Sequence, residues 1–197
     1  MAIVHHQKAL LLYITYCIQF KVMNMTIGVG GSTIEIELNK LSDMTADVLA
    51  ISEAEYHTRI QKAQQLMRTQ GVCALYLDAG TNLHYFTGLK WYKSERMVGA
   101  ILPVEGDLAF IAPHFEEGSL RDNMLIQGNY NGWHEDESPY ELFANVLAKM
   151  GFKQGTVAID ESATFFVFDG LRKAATTFEF TNGADITASC RQTKSSA

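Results

Sequence analysis

The chain has 197 residues, of which 47% are hydrophobic, 19% are charged and 11% are aromatic. The high apolar fraction and the ordinary glycine and proline content exclude disordered, collagen-like and low-complexity chains, and the length predicts one domain with a core of its own. The formal net charge of −6 is spread along the chain, which argues against nucleic-acid binding because that function requires clustered cations.

The amino-terminal segment, residues 1–24, contains twelve consecutive apolar or weakly polar residues between Lys8 and Lys21. This run is shorter than the about 20 apolar residues of a bilayer span, and no small-residue cleavage site follows it. We therefore predict no membrane anchor, and we interpret residues 1–24 as a dispensable extension or a mis-called start before Met25. A signal-like segment is the alternative.

The three cysteines, Cys17, Cys73 and Cys190, stand far apart and form no CxxC pair. An odd number of cysteines cannot complete a disulfide framework. We expect free thiols in a reducing, cytoplasmic location.

Residues 25–51 form a leader of mixed character. The glycine-rich stretch 28–32 (GVGGS) lacks the spacing of a phosphate loop or a dinucleotide site, and we interpret it as a flexible turn. Aliphatic residues alternate with two glutamates over 34–38, which predicts a short strand with one solvated face.

A regular domain is predicted over residues 52–190. Ser52 and Glu55 form a capping box, and apolar residues at helical spacing continue to Gly71, which is a typical helix end. The continuous apolar run 72–77 predicts a strand that is buried on both faces. A turn over 78–82 follows.

The middle of the domain predicts a β-hairpin, with apolar strands at 97–102 and 108–112 on either side of a five-residue glycine-containing loop. A short helix is expected within 115–127, and a brief strand around Trp133.

The last third of the chain continues the alternation of helices and strands. Ser138 and Pro139 begin a helix that ends at Gly151, and residues 156–159 predict a strand. Ser162 is expected to cap a third helix, and extended segments are expected at 178–180 and 184–188. This order predicts a layered α/β domain around a mixed sheet.

The chemistry-bearing residues form few recognisable motifs. No HExxH, GxSxG or SxxK motif occurs. We interpret the acidic stretch 134–137, which begins with His134, as a solvated loop rather than a metal site. The pair Asp160-Glu161 is interpreted as a turn with helix-start charge, and the phenylalanines of 165–168 as core. No catalytic residue and no metal ligand is predicted.

The loop that follows Gly88 is different, because it carries Trp91, Tyr92 and Arg96 close together. Aromatic residues and arginine are the types that anchor ligands and interfaces, and an arginine binds a carboxylate through two parallel N–H bonds. A surface loop with a half-buried tryptophan is the alternative interpretation.

Several stretches in the correct order resemble the N-terminal domain of the creatinase/prolidase/aminopeptidase P family, over residues 52–197. These stretches are Glu55-Tyr56 with Arg59, residues 67–75, the sequence NLHYFTG at 82–88, the hairpin 97–113, the sequence TVAIDESATFF at 156–166, and RQTKS at 191–195, which resembles the family's R-x-x-K-[ST] junction.

The resemblance implies a three-layer domain, a mixed β-sheet flanked by helices, in a family made up mainly of Xaa-Pro peptidases. Their catalytic domain, which follows this one, holds two divalent metal ions (Mn, Co or Zn), and residues 191–197 would begin the junction to it. The chain itself is then expected to be non-catalytic and to hold no cofactor. It is expected to contribute to a homodimer or homotetramer and to a pocket for a short peptide or small molecule.

The resemblance also implies two substrate-binding residues. Arg96 lies eight residues after Gly88, at the position where creatine-hydrolysing members hold the substrate carboxylate, and Trp91 matches a loop tryptophan of aminopeptidase P. Ser94 stands where those creatine-hydrolysing members have an aromatic residue, which argues against creatine as the substrate. Two further functions remain open: a protein-interaction module without a catalytic role, and an independent small-molecule binding protein.

Overall fold

The computed structural model describes residues 31–193, in two compact units whose boundary along the chain lies between Leu49 and Ala50. The interpretation of residues 1–24 and most of the turn 28–32 lie outside the described residues. The boundaries 25–51, 52–190 and 191–197 stay predictions.

The described part of the first unit contains one short helix, α1 (Ile34–Asn39), where the sequence predicted a strand. That prediction was wrong. The Thr33 hydroxyl accepts a hydrogen bond from the backbone N–H of Ile36 at 3.3 Å, and the two glutamates of the stretch lie near the helix N-terminus, where negative charge is favourable. None of the α1 residues is buried. The alternation of aliphatic residues and glutamates over 34–38 therefore does not mark a strand with one buried face.

The second unit contains six strands and six further α-helices among the described residues. The strands are β1 (Val72–Asp78), β2 (Gly99–Pro103), β3 (Ala109–Pro113), β4 (Asn129–Trp133), β5 (Gly155–Ile159) and β6 (Phe178–Asn182). The helices are α2 (Glu53–Gln70), α3 (Thr81–Thr87), α4 (Glu117–Asn123), which directly follows a 3₁₀ turn (His114–Glu116), α5 (Pro139–Lys149), α6 (Phe165–Ala174) and α7 (Ala184–Arg191). No helix within 31–193 has both the length and the apolar character needed to cross a membrane.

Helix α2 begins and ends where its sequence signals predict. The Ser52 hydroxyl accepts from the backbone N–H of Glu55 at 3.3 Å, and Gly71 closes the helix in the left-handed conformation at φ 69°. Its buried residues, Tyr56, Ile60, Ala63 and Met67, recur at helical spacing and face the sheet.

The six strands form one mixed sheet in the order β4-β3-β2-β1-β5-β6. Strand β2 is antiparallel to both of its neighbours, whereas the β1–β5, β5–β6 and β3–β4 pairs are parallel. The carboxyl ends of β1, β3, β4, β5 and β6 therefore lie at one edge, together with the beginning of β2. The turn 104–108 between β2 and β3 lies at the opposite edge, where Val104 donates to the carbonyl of Cys73 at 2.9 Å.

Helices cover both faces of the sheet, as the predicted three-layer fold requires. One core contains the inward side chains of α2, α3, α4 and α7 against Leu75 and Leu77. The other contains those of α5 and α6 against Ala74 and Tyr76. Consecutive β1 residues point to opposite faces, so a continuous apolar run is what a strand buried on both sides needs.

Three local predictions about the last third of the domain were wrong. Residues 184–188 are helical rather than extended, because they belong to α7. Thr164, rather than Ser162, is the N-cap residue of α6, and it makes no side-chain capping bond. Phe165 is 76% exposed and Phe166 is 42% exposed, so neither is a core residue.

Candidate functional site

The carboxyl edge of the sheet is where the polar side chains of the domain converge. Ligands of open α/β sheets bind outside the carboxyl ends of the strands. The loop 88–98, which connects α3 to β2, lies at this edge because β2 begins there. It carries both residues that were predicted to bind substrate, Trp91 and Arg96.

Arg96 reaches across to the loop that follows β4. Its Nε donates to Oε1 of Glu135 at 2.8 Å, and a second guanidinium nitrogen pairs with the carboxylate of Glu95. The guanidinium also lies over the ring of Phe115, with 5.5 Å between its carbon and the ring centroid. The hydrogen bond to Glu135 raises the pKa of Arg96 above its ordinary value. The exposed guanidinium is thus already oriented by carboxylates.

Trp91 has different surroundings. Its side chain is half-buried and packs against the core on the α2 face, and its neighbour Tyr92 is 76% exposed. The structure therefore gives Trp91 and Arg96 different contacts within one loop, and their shared role in substrate binding stays a prediction.

Lys93 fixes the middle of this loop to the sheet. Its Nζ lies 3.4 Å from Oδ2 of the buried Asp78, and it also donates to the backbone carbonyl of Ser162. The hydroxyl of Tyr76 donates to the other Asp78 oxygen at 3.1 Å. Burial raises the pKa of Asp78 above its ordinary value, although Lys93 and Tyr76 act in the opposite direction. Lys93 is the nearby cation that compensates this carboxylate.

A second polar network joins α3, the end of β5 and α7. Asn82 donates through Nδ2 to Asp160 at 2.9 Å and to Glu161 at 3.0 Å, and its carbonyl oxygen accepts from Arg191 at 2.8 Å. Thr187 donates to Glu161 at 2.7 Å. Burial acts to raise the pKa of Glu161, but the hydrogen bonds from Thr187 and Asn82 outweigh it, so the pKa lies below its ordinary value. This network holds α7 against the end of the sheet.

Two histidines lie at the ends of the paired strands β3 and β4. The ring centroids of His114 and His134 are 4.6 Å apart, and Nδ1 of His114 lies 3.6 Å from Glu117. Within residues 31–193, however, no group of three or more His, Cys, Asp and Glu side chains could hold a metal ion.

Sequence reasoning singled out Arg96 and Trp91 as candidates from their residue types, but it missed the polar networks at the same end of the sheet. Asp78, Lys93 and Asn82 were not singled out, and Asp160 was interpreted only as a turn residue. The turn is present, since Asp160 accepts from the backbone N–H of Ser162 at 2.7 Å. Asp78 and Asp160 both come at the ends of predicted strands, but only the structure shows that these strands are parallel neighbours.

Comparison with known proteins identifies the domain. Residues 59–193 match the sequence profile of the Creatinase/Prolidase N-terminal domain. The chain belongs to this family. The resemblance and the fold class expected from the sequence are thereby confirmed.

Individual relatives of this creatinase/prolidase N-terminal domain agree with the assignment. An uncharacterized peptidase of Schizosaccharomyces pombe is 28% identical over an alignment of 169 positions that covers 78% of this chain and 36% of that protein. The crystal structure of a prolidase from Thermococcus sibiricus matches at 26% identity and a TM-score of 0.63, over 71% of this chain and 38% of that one.

A third match is to a separate domain. The N-terminal domain of a Xaa-Pro dipeptidase from Lactobacillus brevis has the same fold, with a TM-score of 0.61 at 19% identity over 68% of this chain and 99% of that one. The first three curated relatives are covered for only 26% to 36% of their length. The chain thus spans about a third of such proteins or less.

Proposed function

We propose that this chain acts as the non-catalytic N-terminal domain of a Xaa-Pro dipeptidase-like or aminopeptidase P-like metallohydrolase. The observation that carries the proposal is the family match over residues 59–193, together with relatives described as peptidases of which the chain covers only part. In this proposal the two divalent metal ions (Mn, Co or Zn) and the residues that bind them belong to the rest of the full-length protein, a cytoplasmic homodimer or homotetramer.

The domain's own contribution is to orient a short peptide substrate through the loop 88–98. Arg96 is suited to this role because its guanidinium is exposed and already binds carboxylates of Glu135 and Glu95. A substrate carboxylate would replace these two glutamates and accept two parallel N–H bonds from the guanidinium. The half-buried indole of Trp91 would exclude water from one side of the pocket.

The role of Arg96 is tested in the full-length protein by Arg96→Ala. Loss of a charge-assisted hydrogen-bonded pair is expected to raise KM for a Xaa-Pro dipeptide by about tenfold, with kcat changed much less, because the contact binds the substrate without taking part in bond cleavage. Arg121→Ala is the matched control, since Arg121 is another exposed arginine paired with a glutamate, Glu117. An unchanged KM in Arg96→Ala would remove this residue from the pocket.

The non-catalytic role is tested with the purified 197-residue chain. Assays of Xaa-Pro dipeptide hydrolysis in the presence of Mn²⁺ or Co²⁺ are expected to show no turnover, because the described residues provide no metal-ligand group. Metal-dependent hydrolysis by this chain, abolished by a chelator, would contradict the proposal.

A second candidate function is a protein-interaction module with no catalytic role. The observation that favours it is the exposure of aromatic side chains at the carboxyl edge, where Tyr92 is 76% exposed and Phe115 is 62% exposed. Aromatic residues are enriched at interaction surfaces. A full-length protein without peptidase activity, together with loss of a partner in Tyr92→Ser and Phe115→Ser variants, would favour this function over the first.

A further inference from the structure

A cavity of about 360 Å³ opens beyond the carboxyl ends of β5 and β6. It is separate from the contacts of Arg96, and the proposed function makes no use of it. Its walls combine carboxylates with aromatic rings, and its principal lining residues are Asp160, Glu161, Phe165, Phe168, Phe180 and Asn182. This volume lies within the range of small-molecule sites in proteins.

Asp160 is the more deeply buried of the two carboxylates that line this cavity. The residue is 2% exposed. Its Oδ1 accepts from Asn82 and from the backbone N–H of Ser162, whereas its Oδ2 is buried and has no hydrogen-bond partner. Burial of such an oxygen without a partner is costly.

Neighbouring carboxylates have cations, but Asp160 does not. Lys93 pairs with Asp78, and Arg191 lies 3.9 Å from Glu161. Across residues 31–193, by contrast, no Lys, Arg or His forms an ion pair with Asp160. Of the two carboxylates that line the cavity, Asp160 is therefore the one that lacks a counter-ion, and a ligand that brings a positive charge would supply it.

The aromatic walls suit a cation with an apolar body. Phe165 is 76% exposed although it lies at the start of a well-packed helix. Phe168 and Phe180 form an edge-to-face pair with centroids 6.2 Å apart. Phenyl faces attract organic cations, and they also bury the alkyl chain that carries the charge.

We propose that this cavity binds a primary ammonium group carried on an apolar chain, with the ammonium placed against Asp160 and the chain against the phenylalanine rings. A small side-chain rearrangement accompanies binding, because Oδ2 is covered in the unbound protein. This site is independent of the substrate contact proposed for Arg96.

The test is a titration of the ¹⁵N-labelled 197-residue chain with n-hexylammonium chloride, followed by amide chemical shifts. Saturable shifts are expected at residues 159–168 and 180–182, with a dissociation constant on the order of 1 mM. n-Hexanol and hexanoate at the same concentrations are the matched probes without the positive charge, and they are expected to bind at least about tenfold more weakly. Equal binding of hexanol would overturn the proposal.

Three variants locate the site. Phe165→Ala is expected to weaken hexylammonium binding about fivefold through the loss of one aromatic wall, whereas Tyr92→Ala removes an equally exposed aromatic residue outside the cavity and is expected to leave it unchanged. Asp160→Asn is expected to abolish binding, with circular dichroism confirming that the variant is folded. Unchanged binding in both Phe165→Ala and Asp160→Asn would overturn the assignment.

The source of the ammonium group is distinguished with a blocked Ala-Lys-Ala peptide and its norleucine analogue. If the lysyl peptide binds and the norleucine analogue does not, the cavity is assigned to lysine side chains of a polypeptide. Binding of hexylammonium without the lysyl peptide assigns it to free amines. Failure of both cationic probes overturns the proposal and leaves the proposed function of Arg96 unaffected.

Discussion

Single side chains decide how the loop 88–98 is held at the carboxyl edge. Lys93 joins the loop to a buried carboxylate below it, and Arg96 joins the loop to the neighbouring β4–α5 loop. The side chain of Asp78 is 5% exposed and that of Lys93 is 33% exposed. The pair is therefore partly shielded from solvent, and its loss costs more than the loss of a surface ion pair.

Lys93→Met is expected to destabilise the chain by about 1–3 kcal/mol, because Asp78 would keep its buried charge without a compensating cation. Urea unfolding followed by circular dichroism measures this change. Lys90→Met is the control in the same loop: Lys90 lies 5.9 Å from the ring of the exposed Tyr92, and its loss is expected to cost less than about 0.5 kcal/mol. Equal stability of the two variants would show that Lys93 does not compensate Asp78.

Residue types alone could single out Arg96 and Trp91 as candidates, but they could not predict the side-chain contacts around them. The partners in the polar networks are far apart in sequence: 78 positions separate Asn82 from Asp160, and 109 separate it from Arg191. A single sequence contains no signal for such pairs until the order and direction of the strands are known. For the same reason, Asp160 could be interpreted only through its local turn.

Helices and strands followed their local signals where those signals were strong. The side chains of Ser52 and Ser138 cap the first turns of α2 and α5, and the apolar runs form strands. The two elements whose type was predicted wrongly, α1 and α7, are short helices. Helix α7 carries no side-chain N-cap, and it is stabilised by the burial of Ile186 and Cys190 in the core, a tertiary contact that overrides weak local preference.

Gly99 and Gly118 differ in how much space surrounds them, and substitution of each by alanine tests how tightly its element is packed. A Cβ added at Gly99, where β2 begins beside β1, would lie 2.4 Å from the backbone oxygen of Leu77, whereas a Cβ at Gly118 in α4 meets no atom within 4 Å. Gly99→Ala is expected to destabilise by about 2 kcal/mol because the backbone must move. Gly118→Ala is expected to stabilise by about 0.5 kcal/mol through helix propensity.

Thermal or urea unfolding of the two glycine variants, side by side, provides the measurement. A Gly99→Ala variant as stable as the parent would mean that β1 and β2 can separate without cost. Such a result would also weaken the link between strand packing and the position of the loop that carries Arg96.

The whole second unit is built on one sheet with a core on each face, and the sequence predicted the mixed, layered architecture but not the strand order. Apolar runs indicate that strands are buried, and the hairpin signal indicates that β2 and β3 are antiparallel neighbours. The apolar runs do not indicate that β1 lies between β2 and β5. That placement depends on how all the helices together cover the two faces of the sheet.

Because a single sheet separates the two cores, we expect them to unfold together. Trp91 packs against the first core and Trp133 belongs to the second, so each tryptophan reports on one face. The variants Trp91→Phe and Trp133→Phe leave one reporter each. In each variant, urea unfolding followed by tryptophan fluorescence and by circular dichroism is expected to give one coincident midpoint, as for a two-state domain. A midpoint by fluorescence that differs from the one by circular dichroism would contradict a single cooperative unit.

The antiparallel direction of β2 has a practical consequence. It places the tip of the β2–β3 turn, residues 105–106, at the end of the sheet away from Arg96 and Asp160. Gly106 has a φ of 94°, and a Cβ added there would meet no atom within 4 Å, although its carbonyl accepts from Gln64 at 3.2 Å. Exposed loop tips of this kind are where insertions are tolerated. A fluorophore or surface-attachment sequence introduced there would leave both proposed binding regions free, so immobilised protein could be used for ligand measurements.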